Sequence, residues 1–518
     1  MTPRSIDPII FLTAFLIVLF VCVPIMIWPT EAGGVIRGLY DWIAEHFGLL
    51  YQWAVIGMVG FLGWVAFSKH GKRRLGEETD RPEFSTFSWV SMLFCAGVGA
   101  GLIYWATIEW TYYLETPPFG VDKTSDEAVL WATSYGLFHW GVIAWTIYAL
   151  PTVAISYAYY VNKTPYLRLS TACHSFLGPK GEDSVMARLI DGVFMVALIA
   201  GAGTSMGLAA PMISANFADA LNFQRSFMAD IAVVLASVAL FAFTVYIGLE
   251  KGIQRLADVN VAAAFVFLAF VLIAGPTLFI LRMGTDSLGF MLQNAVRMLT
   301  WTDPIARSGF VEDWTIFYWA WWIAFGPFVG IFVTRISRGR TLRNLILSMA
   351  AFGSLGAWVF YIVIGNYALY LDINNILAVR DILKTVDPAE AIAQVIGSLP
   401  AGPLAQIVFS VISIIFIATT YNSAAYALAS AATKKLAPGA DPARWHRLFW
   451  ALVLGLLPVA LMAVDGGVRV IMAAVLVASL PLVVIAAMMC VTLARSLNEA
   501  SRGEHALSLD QAKEEIVQ

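Results

Sequence analysis

An all-α integral membrane protein is the fold class that the sequence predicts, and three observations carry it. Hydrophobic residues make up 59% of the 518 positions and charged ones 13%, whereas a soluble chain carries charge at about a quarter of its positions. Apolar runs long enough to cross about 30 Å of hydrocarbon as helices recur along the whole chain. Lysine and arginine then gather in alternate connections between those runs. A net charge of −3 leaves no electrostatic footprint for a nucleic-acid partner.

The runs fall at 8–28, 50–68, 87–113, 133–161, 189–215, 228–248, 258–282, 314–336, 344–369, 404–431, 447–465 and 467–495, which makes about twelve spans. The first is too long for the apolar core of a cleaved signal and reads as a retained span. Lys69, Lys72, Arg73, Arg74 and Arg81 make the second connection basic. Arg338, Arg340 and Arg343 do the same after Arg335, as do Lys434, Lys435 and Arg444 in 432–446. Against them, 30–49 holds only Arg37 beside Glu31, Asp41 and Glu45, and 114–132 only Lys123 beside four acids. Even-numbered connections are therefore basic, which predicts both termini on the cytoplasmic side of a cell inner membrane. Ser287–Thr300 has helical apolar spacing but is too short to span, so a surface helix is expected there. The polar tail after Leu497 is expected to be disordered or loosely helical.

The domain organisation read from this pattern is a two-helix segment (1–86), a first five-helix repeat (87–282), an amphipathic linker (283–313), a second repeat (314–495) and a tail (496–518). The third and eighth spans, "CAGVGAGLIYWATIEW" and "YWAWWIAFGPFVG", both combine glycine with inward aromatics. They lie five spans apart, an odd offset that makes them cross in opposite directions, as inverted transporter repeats do.

Gly97, Gly99 and Gly101 occupy alternate positions within the third span. Glycine in a helix interior costs about 1 kcal/mol relative to alanine, and irregular backbone at membrane depth survives only against protein or a wet cavity. A broken helix there would offer carbonyls to a cation, and close helix packing on small residues is the competing use. Aromatic residues then cluster beside the glycines. Tyr104 and Trp105 follow them, and Trp140, Trp145 and Tyr148 lie within about two turns of the fourth span. Trp319, Trp321, Trp322 and Phe325 run toward Gly326 and Pro327 in the eighth. Ring faces carry negative quadrupole potential and solvate a quaternary ammonium that cannot donate hydrogen bonds, each desolvated contact contributing up to roughly 2 kcal/mol. A lone tryptophan would read as packing; three clusters favour a cage.

Few acids are expected deep in the spans. Glu109 is placed near the outer end of the third, Asp191 and Asp258 near helix ends, and His139 reads as a satisfied structural histidine; together these argue against a proton relay. Thr419, Thr420, Asn422 and Ser423 in "FIATTYNSAAYALASAA" suit an alkali cation or, equally, interhelical hydrogen bonds. Cys22, Cys95, Cys173 and Cys490 show no metal-type spacing. No zinc-type HExxH, catalytic serine or aspartate pairing or Cys/His cluster appears, so an enzyme is not expected.

At these residues the chain resembles the betaine/choline/carnitine transporter family, over nearly its whole length. "WTIFYWAWWIAFGPFVGIFVTRISRGRTLR" closely matches that family's eighth-helix signature. The resemblance implies twelve spans, a leucine-transporter-like (LeuT-like) core of two inverted five-helix repeats, a homotrimer and no cofactor beyond a coupling ion. It implies an aromatic box of Tyr104, Trp140, Trp145, Tyr148 and Trp321 or Trp322, with Trp319 and Phe325 adjoining. It also implies a sodium site at Thr419 and Thr420 with backbone groups near Cys95, Val98 and Phe416, and a second at Thr204 and Phe328. "YWATIEWTYYLETPP" is similar to the carnitine-exchanger branch, "GVGAG" to sodium-coupled betaine carriers. Asn260 stands where the sodium-independent exchanger has arginine. The function implied is sodium-coupled import of a small onium zwitterion across the bilayer, with sodium-independent carnitine-type exchange as the alternative. Osmosensing relatives carry long charged tails, so constitutive uptake is expected.

Overall fold

The computed structural model describes residues 6–247, 254–434, 436, 440–462 and 467–517. Among them the backbone is almost entirely helical, with no strand beyond two isolated bridges, Ile6 to Thr433 and Arg74 to Thr341. Among the described residues, nine helices are long and apolar enough to cross a membrane, or ten if one bent pair counts as a span. Large apolar side chains such as Phe20, Phe67 and Ile273 stay more than three-quarters exposed. That is stable only where lipid replaces water. The fold class is thus an all-α integral membrane protein.

Asp7 caps α1 (Pro8–Ile27), accepting from Ile9 N at 3.2 Å while Pro8 fills the first turn, where no N–H is needed. Only Trp28 separates it from α2 (Pro29–Phe67), a 39-residue helix. The acidic connection read at 30–49 is therefore helical: Pro29 sits in the first turn, no proline follows it, and Gly33, Gly34, Gly38 and Gly48 are carried within the helix. Then come α3 (Thr86–Val98) and α4 (Gly101–Glu115), bent by 58°, and α5 (Asp126–His139) and α6 (Val142–Ser156), broken at Trp140–Gly141. The second break was not expected. After α7 (Val185–Leu221) and α8 (Phe227–Ile247), α9 (Gln254–Ala274) stops before Gly275–Pro276. Its successor α10 (Thr277–Thr300) begins ten residues earlier than the surface helix read from 287, and α9 ends short of 282. The reason is Pro276, which has no N–H to extend one helix and opens the next.

The buried axis is α11 (Phe317–Ile336), continuous with a π-helical turn at Val311–Ile316 and buried at every position. It stays unbroken through Gly326 and Pro327. Gly330 explains its close approach to α6, since a Cβ there would come within 2.9 Å of the Pro151–Thr152 backbone. Next are α12 (Leu342–Phe360), α13 (Asn366–Ile373), α14 (Val379–Thr385), α15 (Pro388–Gly397) and α16 (Gly402–Ala431). The eleventh expected span is divided into α17 (Arg444–Leu454) and α18 (Leu456–Met462). The last helix, α19 (Gly467–Val517), carries the tail on as helix.

The basic connections meet on one face. Leu75 N donates to Arg340 O at 2.8 Å and Gly339 N to Leu75 O at 2.7 Å. Arg343 Nε donates to Ala66 O at 2.7 Å, and Lys163 pairs with Glu77 at 2.8 Å. Asp7 N reaches Ala432 O at 2.9 Å and Leu436 N reaches Pro165 O at 2.9 Å. Asp80 in this layer is held below the usual carboxylate range by the backbone N–H of Glu77, then by Arg338.

Candidate functional site

The break between α3 and α4 is made by Gly99, whose φ of 55° and ψ of −163° suit glycine alone. Its neighbour Gly97 has no side chain because Trp145 lies there, 2.7 Å from where a Cβ would be, and Gly97 O accepts from Tyr148 OH at 3.0 Å. Gly101 in turn gives room to Trp321. The three glycines thus join the helix break to the aromatic residues of α6 and α11.

Most of the box residues named above come together, fully buried. Trp140, in the α5–α6 break, lies edge-on to Trp322 (ring centroids 4.7 Å apart) and to Trp321 (5.9 Å). Trp321 and Trp322 are nearly parallel at 5.2 Å, and Tyr148 stands edge-on to Trp322 at 5.7 Å. Trp145 meets Tyr148 at 5.6 Å and lies over Gly353 of α12. Phe325 meets Trp321 at 6.4 Å and fills the space left by Gly201. Two residues differ. Trp319 turns toward Phe138 and His139, and Tyr104 packs on Trp105, one turn beyond the glycine that Trp321 touches. Neither position follows from helical spacing, because which arc of α11 faces α4 depends on the crossing of the two helices.

Sequence reasoning missed what holds the rings. Glu109, placed near the outer end of the third span, is fully buried in α4. Its carboxylate accepts from Tyr318 OH at 2.8 Å and Trp140 Nε1 at 3.1 Å, and also from Tyr113 OH and Tyr361 OH. Tyr113 has one proton, given to the carboxylate, so its oxygen accepts from His139 Nδ1–H at 2.8 Å. His139 Nε2 then accepts from Thr315 Oγ1 at 3.2 Å, and its backbone carbonyl holds Trp322 Nε1 at 2.9 Å. Tyr318 completes the set, nearly parallel to Trp321 and Trp322 at 6.2 and 5.6 Å. The signal was available: position 109 lies inside an apolar run, where an acid is functional by default.

A second polar centre joins α3, α9 and α16. Thr420 Oγ1 lies 2.7 Å from Cys95 O and 2.9 Å from Phe416 O, and Thr419 Oγ1 lies 2.9 Å from Phe416 O. Val98 is the last residue of α3. Asn260 is fully buried with its side-chain amide beside the Cys95 thiol. Carbonyls, hydroxyls and an amide are hard oxygen donors of the type alkali cations take. The other candidate position is less developed: Thr204 Oγ1 bonds back to Ala200 O at 3.1 Å, and Phe328 packs on Phe325. Among the described residues no cluster of three or more His, Cys, Asp or Glu could hold a transition metal.

Buried aromatic residues around broken helices form the core of a polytopic membrane protein. The chain belongs to the betaine/carnitine/choline family of transporters, whose model matches residues 8–502. It is similar to a protein of Acinetobacter baumannii named carnitine transporter, 33% identical over 480 residues that cover 92% of this chain and 86% of the other.

Proposed function

We propose that the protein imports a small zwitterion with a methylated ammonium or sulfonium head, of the glycine betaine, carnitine, choline and dimethylsulfoniopropionate class, by sodium symport through alternating access. One observation carries the reading: Trp140, Tyr148, Trp321 and Trp322 converge at full burial where α3–α4 and α5–α6 break. The similar protein named carnitine transporter supports the substrate class. The oxygens around Thr419 and Thr420 supply the coupling site; a sodium ion there ties α3 to α16 and favours one conformation, which is how coupling arises. Twelve spans in two inverted repeats, a homotrimer, and an inner-membrane orientation with the basic face and both termini cytoplasmic complete the proposal.

Uptake of radiolabelled glycine betaine or carnitine into proteoliposomes tests it, with external sodium replaced by potassium and with or without internal substrate. Sodium-dependent uptake into empty vesicles is expected. Uptake that ignores sodium but requires internal substrate would establish exchange instead. Thr420→Ala, which removes the hydroxyl between Cys95 O and Phe416 O, should raise the sodium concentration for half-maximal uptake by about tenfold, the scale of one charge-assisted interaction.

Trp321 makes a further expectation. Its buried Nε1–H has no partner among the described residues, a state that costs about 1–3 kcal/mol. A substrate carboxylate would relieve it. Trp321→Phe should therefore weaken glycine betaine more than choline, which lacks a carboxylate; a competition assay giving equal losses for both would refute that role.

A further inference from the structure

The aromatic cluster has a fixed counter-charge. We propose that Glu109 is a specificity-determining residue, an ionised carboxylate set behind the rings that makes the site require a cationic head rather than merely a methylated one. The inference rests on the onium reading above and adds a charge requirement that rings alone would meet only weakly.

Four donors from four separate elements converge on this one carboxylate: Tyr113 of α4, Trp140 at the α5–α6 break, Tyr318 of α11, and Tyr361, which follows α12. A carboxylate has about four acceptor sites, and all of these partners donate. A protonated acid would have to use a tyrosine oxygen as acceptor, and for Tyr113 that sends its own proton to His139 Nδ1 and leaves the histidine proton on Nε2; the ionised form instead takes a donor from each of the four partners. Among the described residues the one basic nitrogen within 4.0 Å is His139 Nδ1. That atom is already committed to Tyr113, in the tautomer that leaves Nε2 to Thr315. The hydrogen bonds satisfy the carboxylate without neutralising it. No arginine or lysine side chain among the described residues pairs with it, unlike the buried Asp191, which has Arg168 at 3.8 Å.

The position is as telling as the charge. Two of the four donors, Trp140 and Tyr318, are themselves in ring contact with both Trp321 and Trp322. A head group lying on those tryptophans is then one ring away from the carboxylate, in a buried, low-dielectric region. There the attraction between opposite charges is several-fold stronger than at a surface. The same field repels an anionic group and gives no attraction to a neutral tert-butyl group, although the latter's shape matches a trimethylammonium.

The test compares isosteres that differ only in that charge: choline against 3,3-dimethylbutan-1-ol, and glycine betaine against 3,3-dimethylbutanoate. Binding is read by tryptophan fluorescence on purified full-length protein, and the quantity is the ratio of neutral-head to cationic-head Kd. Wild type should favour the cation strongly, and Glu109→Gln, which keeps shape and most acceptor capacity, should cut the ratio about tenfold or more. Glu109→Asp keeps the charge and should hold the ratio within about threefold of wild type. A Glu109→Gln ratio equal to wild type overturns the proposal while leaving the aromatic cage intact. Wild-type protein that binds neither onium overturns the cage and this inference together. Should the glutamine variant fail to give monodisperse protein, the aspartate variant decides: loss of the cation preference there shows that shape, not charge, was responsible.

Discussion

Trp322→Ala lowers the affinity for an onium substrate about thirtyfold or more, and Trp140→Ala does the same. The magnitude follows from taking away one ring face, up to roughly 2 kcal/mol for a desolvated cation on an indole, at 1.4 kcal/mol per decade. Each tryptophan also fixes its neighbours. Trp322 ties α11 to the α5–α6 break through its N–H on His139 O at 2.9 Å, and Trp140 spans the same break to reach Glu109. Removing either ring therefore disorders the remaining faces as well as subtracting one. Trp322→Phe keeps a face but not the hydrogen bond and should recover part of the affinity. The measurements are equilibrium binding and initial uptake on variants that remain monodisperse in detergent, since truncating a buried tryptophan costs stability by about 3–5 kcal/mol. Wild-type affinity retained in both alanine variants would remove the cage.

How much of this could be read before the structure depends on whether the signal was local. The break at Gly99 was legible as one of two uses, since three glycines in a membrane helix serve either a break or close packing, and the structure bends there by 58°. The break at Trp140–Gly141 was not, since a single glycine at a helix-like position carries little information. Trp140, Trp145, Tyr148, Trp321 and Trp322 could be named from composition and spacing. The divergence of Trp319 could not, because it depends on which arc of α11 faces its neighbours. Glu109 is the instructive miss. Tyr113 lies one turn along the same helix, an i, i+4 pair visible in the sequence. Tyr318 and Tyr361, by contrast, are more than two hundred positions away, and only the packed helices bring them to the carboxylate. Pro276 shows the opposite case, a boundary set by one residue that span-counting had smoothed over.

Gly99→Ala should be the most damaging change that leaves every aromatic residue in place. At φ 55° and ψ −163° the residue occupies a region essentially closed to residues with a Cβ, at a cost of about 1–3 kcal/mol. The added methyl would also lie 2.9 Å from Thr420 Oγ1, tighter than van der Waals contact permits. Relief requires either that the α3–α4 bend straighten or that α16 move away. The first withdraws Gly97 O from Tyr148 and Gly101 from Trp321; the second separates Thr420 from Cys95 O at 2.7 Å. Both routes strike the ring cluster and the proposed cation site at once, because Gly99 lies between them. Substrate affinity and sodium affinity should therefore fall together, each by about tenfold or more. Gly289→Ala, on the surface of α10 with open space around its would-be Cβ, should change neither. Parallel titrations of substrate and sodium in proteoliposomes separate the possibilities. A loss of substrate affinity with sodium affinity intact would mean that the helix break serves the aromatic cluster alone and that the ion binds elsewhere.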